Sequence, residues 1–500
     1  MKNHYDVLVI GGGPAGSTAA ALSARAGLRV GLLDQARFPR EHIGESLPPG
    51  VLPVLDLLGV REKVEAHGFQ VKRGAYFEWG GESWHYDFGD LTGQRINYSW
   101  QVIRSEFDEL LLRHAQEQGV EVHEATACTG VHFEGDRAVA ADWHVADGGG
   151  GGRITFDQLI DASGRAGILA TKHLRTRELH HSFRNVAIWS YWRGGRPLVE
   201  GPEGAIAVIS ISTGWIWYIP LHDGRWSVGV VQHKSVLREA RKAGRSLASI
   251  YSEAIVQSPT VATSLKEAEQ ISSVQAETDY SYSMSRFAGP GWFAAGDAAC
   301  FLDPLLSTGV HLAMFSAVIA AATITSVARG DLELARASEF YDHSYRRAYL
   351  RYLVLVSSFY RAYAGRSTYF WEAQQLVSRD CTTEDLGDAF LEIVSGIADY
   401  QESGQPLAEQ VLEEVSRRAA ANLEVVKQRT PLADMTPAQR EQSMAKLKLM
   451  SGISPDLPRS PDTAIDGMWL ELEPSLRVRR LDSVRSLTSS RDGLSSPQGS

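Results

Sequence analysis

The chain has 500 residues and a formal net charge of -10. That acidic balance argues against nucleic acid as the main partner, and the length asks for two or three closely joined domains. Cys128, Cys300 and Cys381 lie far apart in no metal-like spacing, which, with no secretion signal before the first strand, points to a reducing, cytoplasmic setting.

Residues 5–10 read as a buried strand. Gly11-Gly12-Gly13-Pro14-Ala15-Gly16 follows, then an Ala-rich helix, then a second strand ending at Asp34. This is G-x-G-x-x-G in the strand–turn–helix setting that dinucleotide binding requires, with an acid in the required place. Gly11 makes the turn and Gly13 lets the backbone approach a pyrophosphate. Gly16 allows close helix–strand packing, and Asp34 would accept the adenosine ribose hydroxyls. The charged loop that follows carries Arg40, Gly44, Glu45 and Ser46 and is long enough to lie over the dinucleotide. Arg40 either meets phosphates or is a solvated loop charge.

Arg104 precedes an amphipathic helix at residues 107–118. Residues 120–160 alternate apolar and polar, with the Gly148–Gly152 run as a hairpin tip. A strand then ends at Asp161-Ala162-Ser163-Gly164. Residues 183–235 are rich in β pattern and make the antiparallel sheet of a second layer. Within them Trp215 and Trp217 alternate, so both face the same side.

Residues 291–328 organise the rest. A short apolar run stops at Gly296-Asp297, as a buried parallel strand does at a ligand crevice. Pro304, Ser307, Thr308 and Gly309 precede a long Ala-rich helix, whose N-terminus offers unpaired N–H groups and the positive end of a dipole. Residues 310–328 hold no Lys, Arg, Asp or Glu. They lack the Leu/Ile/Val density and basic flanks of a membrane span, so a buried helix is expected. The stripe Tyr341, Tyr345, Tyr349, Tyr352, Phe359 and Tyr360 reads as core packing of a helical region.

Three segments, 11–16 with Asp34, 161–164 and 296–309, resemble the FAD monooxygenase superfamily that includes the aromatic hydroxylases. Within it, Trp215-x-Trp217-x-Ile219-Pro220 is similar to the W-x-W-x-I-P motif of flavin-dependent halogenases. Residues 68–77 resemble the segment carrying their catalytic lysine, here Lys72. Residues 303–313 resemble their halide-binding loop. The likeness covers roughly residues 5–380. Tryptophan halogenases carry a glutamate before this Ser-Thr-Gly, where this chain has Leu306. The closer likeness is to natural-product halogenases acting on phenols, pyrroles or acyl groups, several on carrier-bound substrates.

The resemblance implies an α/β fold: a Rossmann-like FAD-binding domain, an antiparallel β-sheet substrate domain and a helical C-terminal region. The FAD-binding parts are expected at about residues 1–80, 100–180 and 275–330, and the sheet at about 81–99 and 181–274. A helical region at 331–450 and a mostly flexible tail at 451–500 follow, with Met468-Trp469-Leu470 as a docking point. FAD would face Gly11, Gly13, Pro14, Ala15, Gly16, Asp34, Arg40, Gly44, Glu45, Ser46, Arg104, Asp161, Gly296, Asp297, Pro304 and Gly309. Chloride or bromide would sit at Thr308 and Gly309. Trp215 and Trp217 would be the barrier between substrate and flavin, and Lys72 would use the hypohalous acid made with FAD reduced by a separate flavin reductase. Asp279 matches a position of covalent FAD attachment in one relative, although a plain strand-edge acid is the simpler account. The histidines show no metal-ligand spacing along the chain, and no metal is expected. Two rival readings stay open, a flavin hydroxylase and a silent, flavin-bound carrier-protein-binding subunit. Only a halogenase would need halide for product.

Overall fold

The computed structural model describes residues 1–89, 97–146, 148–198, 200–362, 457–473 and 475–481. The first sheet has a parallel centre. Its strands run Trp292–Ala294, Gly151–Asp161, His4–Ile10, Val30–Leu33 and Glu121–His123, each parallel to its neighbour. His4–Ile10 lies in the middle, and Val7, Leu8 and Val9 are fully buried, as a strand covered on both faces demands. Thr126–Glu134 and Arg137–Val145 extend this sheet by antiparallel pairing, turning back through Gly148 and Gly150 into Gly151–Asp161.

Among the described residues the second sheet has nine strands. Its spine is Gln275–Met284, Arg177–Arg193, Arg225–His233, Gly214–Pro220 and Ile206–Ile211, all antiparallel. Two expected boundaries are corrected here. Gly74–Trp79 and Gln275–Met284, placed by sequence in the FAD-binding parts, both belong to this sheet. Gly74–Trp79 pairs parallel to Ile206–Ile211, so the second sheet is not purely antiparallel. The physical reason is that partners about 130 residues apart meet edge to edge, which local patterning does not encode.

The Gly309–Ala328 helix runs through the protein. Every residue from Val310 to Ser326 is buried. Its mean hydropathy of 1.8 would suit a membrane span, and 94% of its most apolar window is buried inside the protein. It packs on the Pro14–Arg25 helix and on the Leu334–Ala362 helix. Alanine, serine and glycine on the first two let their backbones come close, and Ser316 Oγ meets the Gly296 N–H at 3.0 Å. The tyrosine stripe packs as core. Tyr341 and Tyr345 donate to the carbonyls of Ala294 and Gly296, and Tyr349 to that of Tyr282. The side chain of Phe359 and residues 363–456, Cys381 among them, lie outside the described residues.

The described part of the tail, residues 457–473 and 475–481, holds the expected docking point. Met468–Glu471 and Arg477–Arg480 form an antiparallel hairpin. The Val478 N–H donates to Ser326 Oγ at 2.8 Å, and Arg329 reaches Ser475 Oγ at 2.8 Å. Met468, Trp469, Leu470 and Val478 are buried. The hairpin is ordered because it covers an apolar helix that would otherwise meet water.

Candidate functional site

One cavity of about 880 Å³ opens between the two sheets. It runs from the glycine turn, past Gly296 and Thr308, to Trp215 and Trp217. Gly11 sits at φ +103°, and a Cβ there would lie 2.2 Å from the Ala162 carbonyl oxygen. A Cβ on Gly16 would lie 1.8 Å from the Gly11 carbonyl oxygen. Both glycines are therefore demanded by close backbone packing. Gly13 differs, because a Cβ there meets only Arg40 Nη2, at 3.1 Å. The open space in front of Gly13, at the N-terminus of the Pro14–Arg25 helix, is a cradle a pyrophosphate would fill.

Asp34 lines the cavity with Gly13, Pro14 and Ala15. Its carboxylate accepts from the N–H groups of Gly12 at 2.7 Å and Ala36 at 2.8 Å. Arg40 faces the same space, 3.4 Å from Asp108. Arg104 also lines it, held by Asp108 at 2.8 Å and by the carbonyl oxygens of Ile43 at 2.8 Å and Gly44 at 3.3 Å. Arg104 therefore anchors the loop of residues 43–46. These residues fit FAD: a glycine turn with open space, an acid beyond it and two arginines on the wall.

Asp161 is set apart. It is fully buried and does not line the cavity. One oxygen accepts from the Ser163 N–H and hydroxyl, the other from the Leu169 N–H at 2.7 Å. Burial pushes its pKa up, against those hydrogen bonds. It shapes the turn that lets Ala162 and Ser163 reach the wall. Asp297 does line the cavity. Burial raises its pKa, opposed by Arg165, Arg104 and Arg177.

Glu45, Ser46, Tyr191, Trp217 and Arg225 meet at the cavity's far part. Glu45 is buried, and burial pushes its carboxyl up to about 7 against Ser227, Tyr191 and Arg225. Trp215 and Trp217 lie on the wall, ring centroids 6.2 Å apart. Trp215 donates to Tyr360 Oη at 2.9 Å and Trp217 to Ser227 Oγ at 3.1 Å. Gly229 makes room for Trp217, since a Cβ there would lie 2.0 Å from its ring.

Lys72 closes the Gln70–Lys72 strand, paired with Ser99. It is 3% exposed. Its Nζ donates to Ser46 Oγ at 2.8 Å and to the Leu47 carbonyl at 3.3 Å, and lies 5.4 Å from the centre of the Phe88 ring. Burial pulls its pKa down to about 7. Ser46 lines the cavity and Lys72 stands directly behind it.

Thr308 is buried at the start of the Gly309–Ala328 helix, and Pro304, Thr308 and Gly309 all line the cavity. Nothing lies within 4 Å of a Cβ placed on Gly309. Sequence reasoning missed what holds this loop. Asp303 is fully buried and accepts from Asn185 at 2.7 Å, Tyr360 at 3.0 Å and the Leu305 N–H at 3.1 Å. The Asp303-Pro304 pair was the visible signal, a helix-start acid before a proline. The side chain of Asp279 lies outside the described residues; its backbone pairs with Asn185.

Comparison with known proteins places the chain in a family. The family model described as tryptophan halogenase matches residues 6–96 and 91–402. A tryptophan 2-halogenase of Chondromyces crocatus is 48% identical over 406 residues, covering 80% of this chain and 77% of that protein. A flavin-dependent halogenase of Penicillium aethiopicum is 35% identical, covering 95% of this chain and 96% of its own. Among solved structures, the myxobacterial chondrochloren halogenase CndH, described as a variant of FAD-dependent halogenases, superposes with a TM-score of 0.71 at 31% identity. It covers 84% of this chain and 97% of its own. CmlS, a flavin-dependent halogenase, gives 0.73 at 31% identity, over 90% of this chain and 78% of its own. A glycine turn fit for FAD, a tryptophan-walled cavity and relatives that span most of the chain lead to one conclusion: the chain belongs to the flavin-dependent halogenases.

Proposed function

We propose that this halogenase works through Lys72, with halide held at Thr308 and Gly309 and with Trp215 and Trp217 walling the flavin side from the substrate. FAD, reduced by a separate flavin reductase, supplies the electrons and oxygen activation that turn halide into hypohalous acid. The chain's residues do the rest. The Gly13 cradle, Asp34 and Arg40 hold the cofactor's diphosphate and ribose end. The first N–H groups of the Gly309–Ala328 helix offer an anion site beside the cavity, pinned by the Asp303 network. The paired indoles exclude bulk water and block direct transfer to a substrate ring.

The observation that carries the reading is Lys72. A lysine in a dry pocket with a pKa pulled down to about 7 is available both as ammonium and as amine near neutral pH. As ammonium it hydrogen-bonds and polarises hypohalous acid; as amine it takes the halogen as a chloramine and releases water. The acceptor ring then gains halogen and loses a proton. Delivery requires the Ser46 hydroxyl to give way or to relay, since Ser46 stands between Nζ and the cavity.

The acceptor we propose is an electron-rich aromatic or enolic substrate, free or tethered to a carrier protein. Relatives are named for tryptophan and for sulochrin. Leu306 in place of a glutamate supports a substrate other than free tryptophan. Mass spectrometry of reactions with flavin reductase, FAD, NADH and halide, offering free tryptophan, phenols and carrier-bound acyl aromatics in parallel, tests this. Halogenation of free tryptophan alone would overturn the substrate reading, and product without halide would overturn the halogenase one.

A further inference from the structure

Away from the cavity, three side chains from separate elements converge. His67 ends the Arg61–His67 helix, Glu106 lies in the first turn of the Arg104–Glu117 helix, and His222 lies just beyond Gly214–Pro220. Glu106 Oε2 is 2.8 Å from His67 Nε2 and 3.4 Å from His222 Nε2. All three ligand atoms lie within 4.8 Å of one another. Phe69 fixes the imidazoles, stacked on His67 at 4.2 Å and edge-on to His222 at 5.4 Å.

We propose that His67, Glu106 and His222 form a binding site for a borderline divalent transition metal such as Zn2+. Two imidazoles and one carboxylate are the donor set that suits zinc, nickel or copper rather than calcium or magnesium. Zinc bonds of about 2.0–2.2 Å require donor atoms roughly 3.2–3.6 Å apart. The His222 distance already fits, and His67, on the rim of the cluster, needs only to draw back a few tenths of an ångström. Three protein donors leave a position for water. No lysine or arginine pairs with Glu106 among the described residues. The contrast is His4, Asp6 and Asp157, which also approach one another, but Asp6 is taken by Arg29 through its backbone N–H and its guanidinium. The consequence is structural. A metal here staples the segment that leads through Phe69 to Lys72 onto the end of the strand carrying Trp215 and Trp217. This inference is independent of the halogenase chemistry.

The test uses the FAD-loaded full chain, any affinity tag removed and metal stripped with chelator. Competition with a chromophoric zinc chelator and native mass spectrometry measure binding, and thermal melting measures coupling to the fold. The wild type is expected to take up one Zn2+ and to show a Tm that climbs with the logarithm of free Zn2+. His67→Gln, Glu106→Gln and His222→Gln should each weaken uptake at least about tenfold, since even losing a group that only hydrogen-bonds to a metal ligand costs about that much. Asp157→Asn, in the rejected cluster, should not. His67→Gln is the variant least able to disturb folding, because His67 is exposed where Glu106 and His222 are half-buried, so it keeps the test open if the others unfold. Equal Zn2+ uptake by wild type and His67→Gln, or a wild-type Tm indifferent to Zn2+, would overturn the site.

Discussion

Lys72 is the residue on which most turns, and its burial has a thermodynamic cost that can be measured. In the unfolded chain a lysine titrates near its ordinary value, roughly 10.4; in the fold burial holds it at about 7. Below about 7 both states are protonated and the full penalty of burying the charge applies. As pH rises from 7 toward 10 the unfolded state holds the extra proton, so stability should rise, by up to about 1.4 kcal/mol per pH unit. Lys72→Met should remove that slope and raise stability near neutral pH. Chemical denaturation of both proteins between pH 7 and 9.5 checks it, and parallel curves would mean that the lysine is solvated. Local sequence could not show this burial. Residues 70–73 look like a semi-polar surface strand, and the shell comes from Ser46, Leu47 and Phe88. Gly13 was legible, because its role lies in the turn itself. Gly13→Val should give a folded, colourless protein, since its Cβ meets only the Arg40 side chain but fills the pyrophosphate cradle. Normal flavin absorbance in that variant would remove residues 11–16 from the cofactor site.

Among elements, the Gly309–Ala328 helix joins the cavity, the proposed halide loop and the core. Its start was legible from Pro304 and Thr308-Gly309, and its burial from its alanines. Its cover was not. The Met468–Glu471 and Arg477–Arg480 strands are short, and three of the last four residues are arginine, so no apolar alternation announces them. Only the register, which turns Val478 and Leu470 inward, explains their order. Leu470→Ala should therefore destabilise the protein by about 2–4 kcal/mol, read as a lowered Tm, with FAD still bound. A Tm within a degree of wild type would mean that the hairpin contributes nothing to the helix it covers. The two sheets show the same limit: glycine turns and strand ends were readable, but the parallel pairing of Gly74–Trp79 with Ile206–Ile211 was not, because register between distant strands lives in packing. The helix start also yields a halide prediction. Gly309→Leu should fit without steric conflict, since nothing lies within 4 Å of its Cβ, and should raise the half-saturating chloride concentration severalfold with FAD retained. An unchanged chloride titration of product formation would move the halide elsewhere.

At the scale of the molecule, the proposed mechanism puts the making of oxidant and the making of product at different ends of one cavity, with the glycine turn and the Thr308 loop on one side and the tryptophan wall and Ser46, backed by Lys72, on the other. That separation makes flavin oxidation and halogenation independent in principle, whereas a hydroxylase-like direct transfer would couple them. The control is Arg73→Ala. Arg73, just past the strand that ends at Lys72, is 41% exposed and pairs with Glu203 at 3.2 Å, so its alanine variant should stay active. Lys72→Arg should not restore activity, since guanidinium differs in shape and does not readily supply a neutral amine. The most direct measurement compares, in one reaction, dioxygen consumed with reduced FAD and halogenated product formed by Lys72→Ala. The account predicts FAD binding and dioxygen consumption at wild-type rate with product lost; product at near wild-type rate with intact flavin turnover would contradict it.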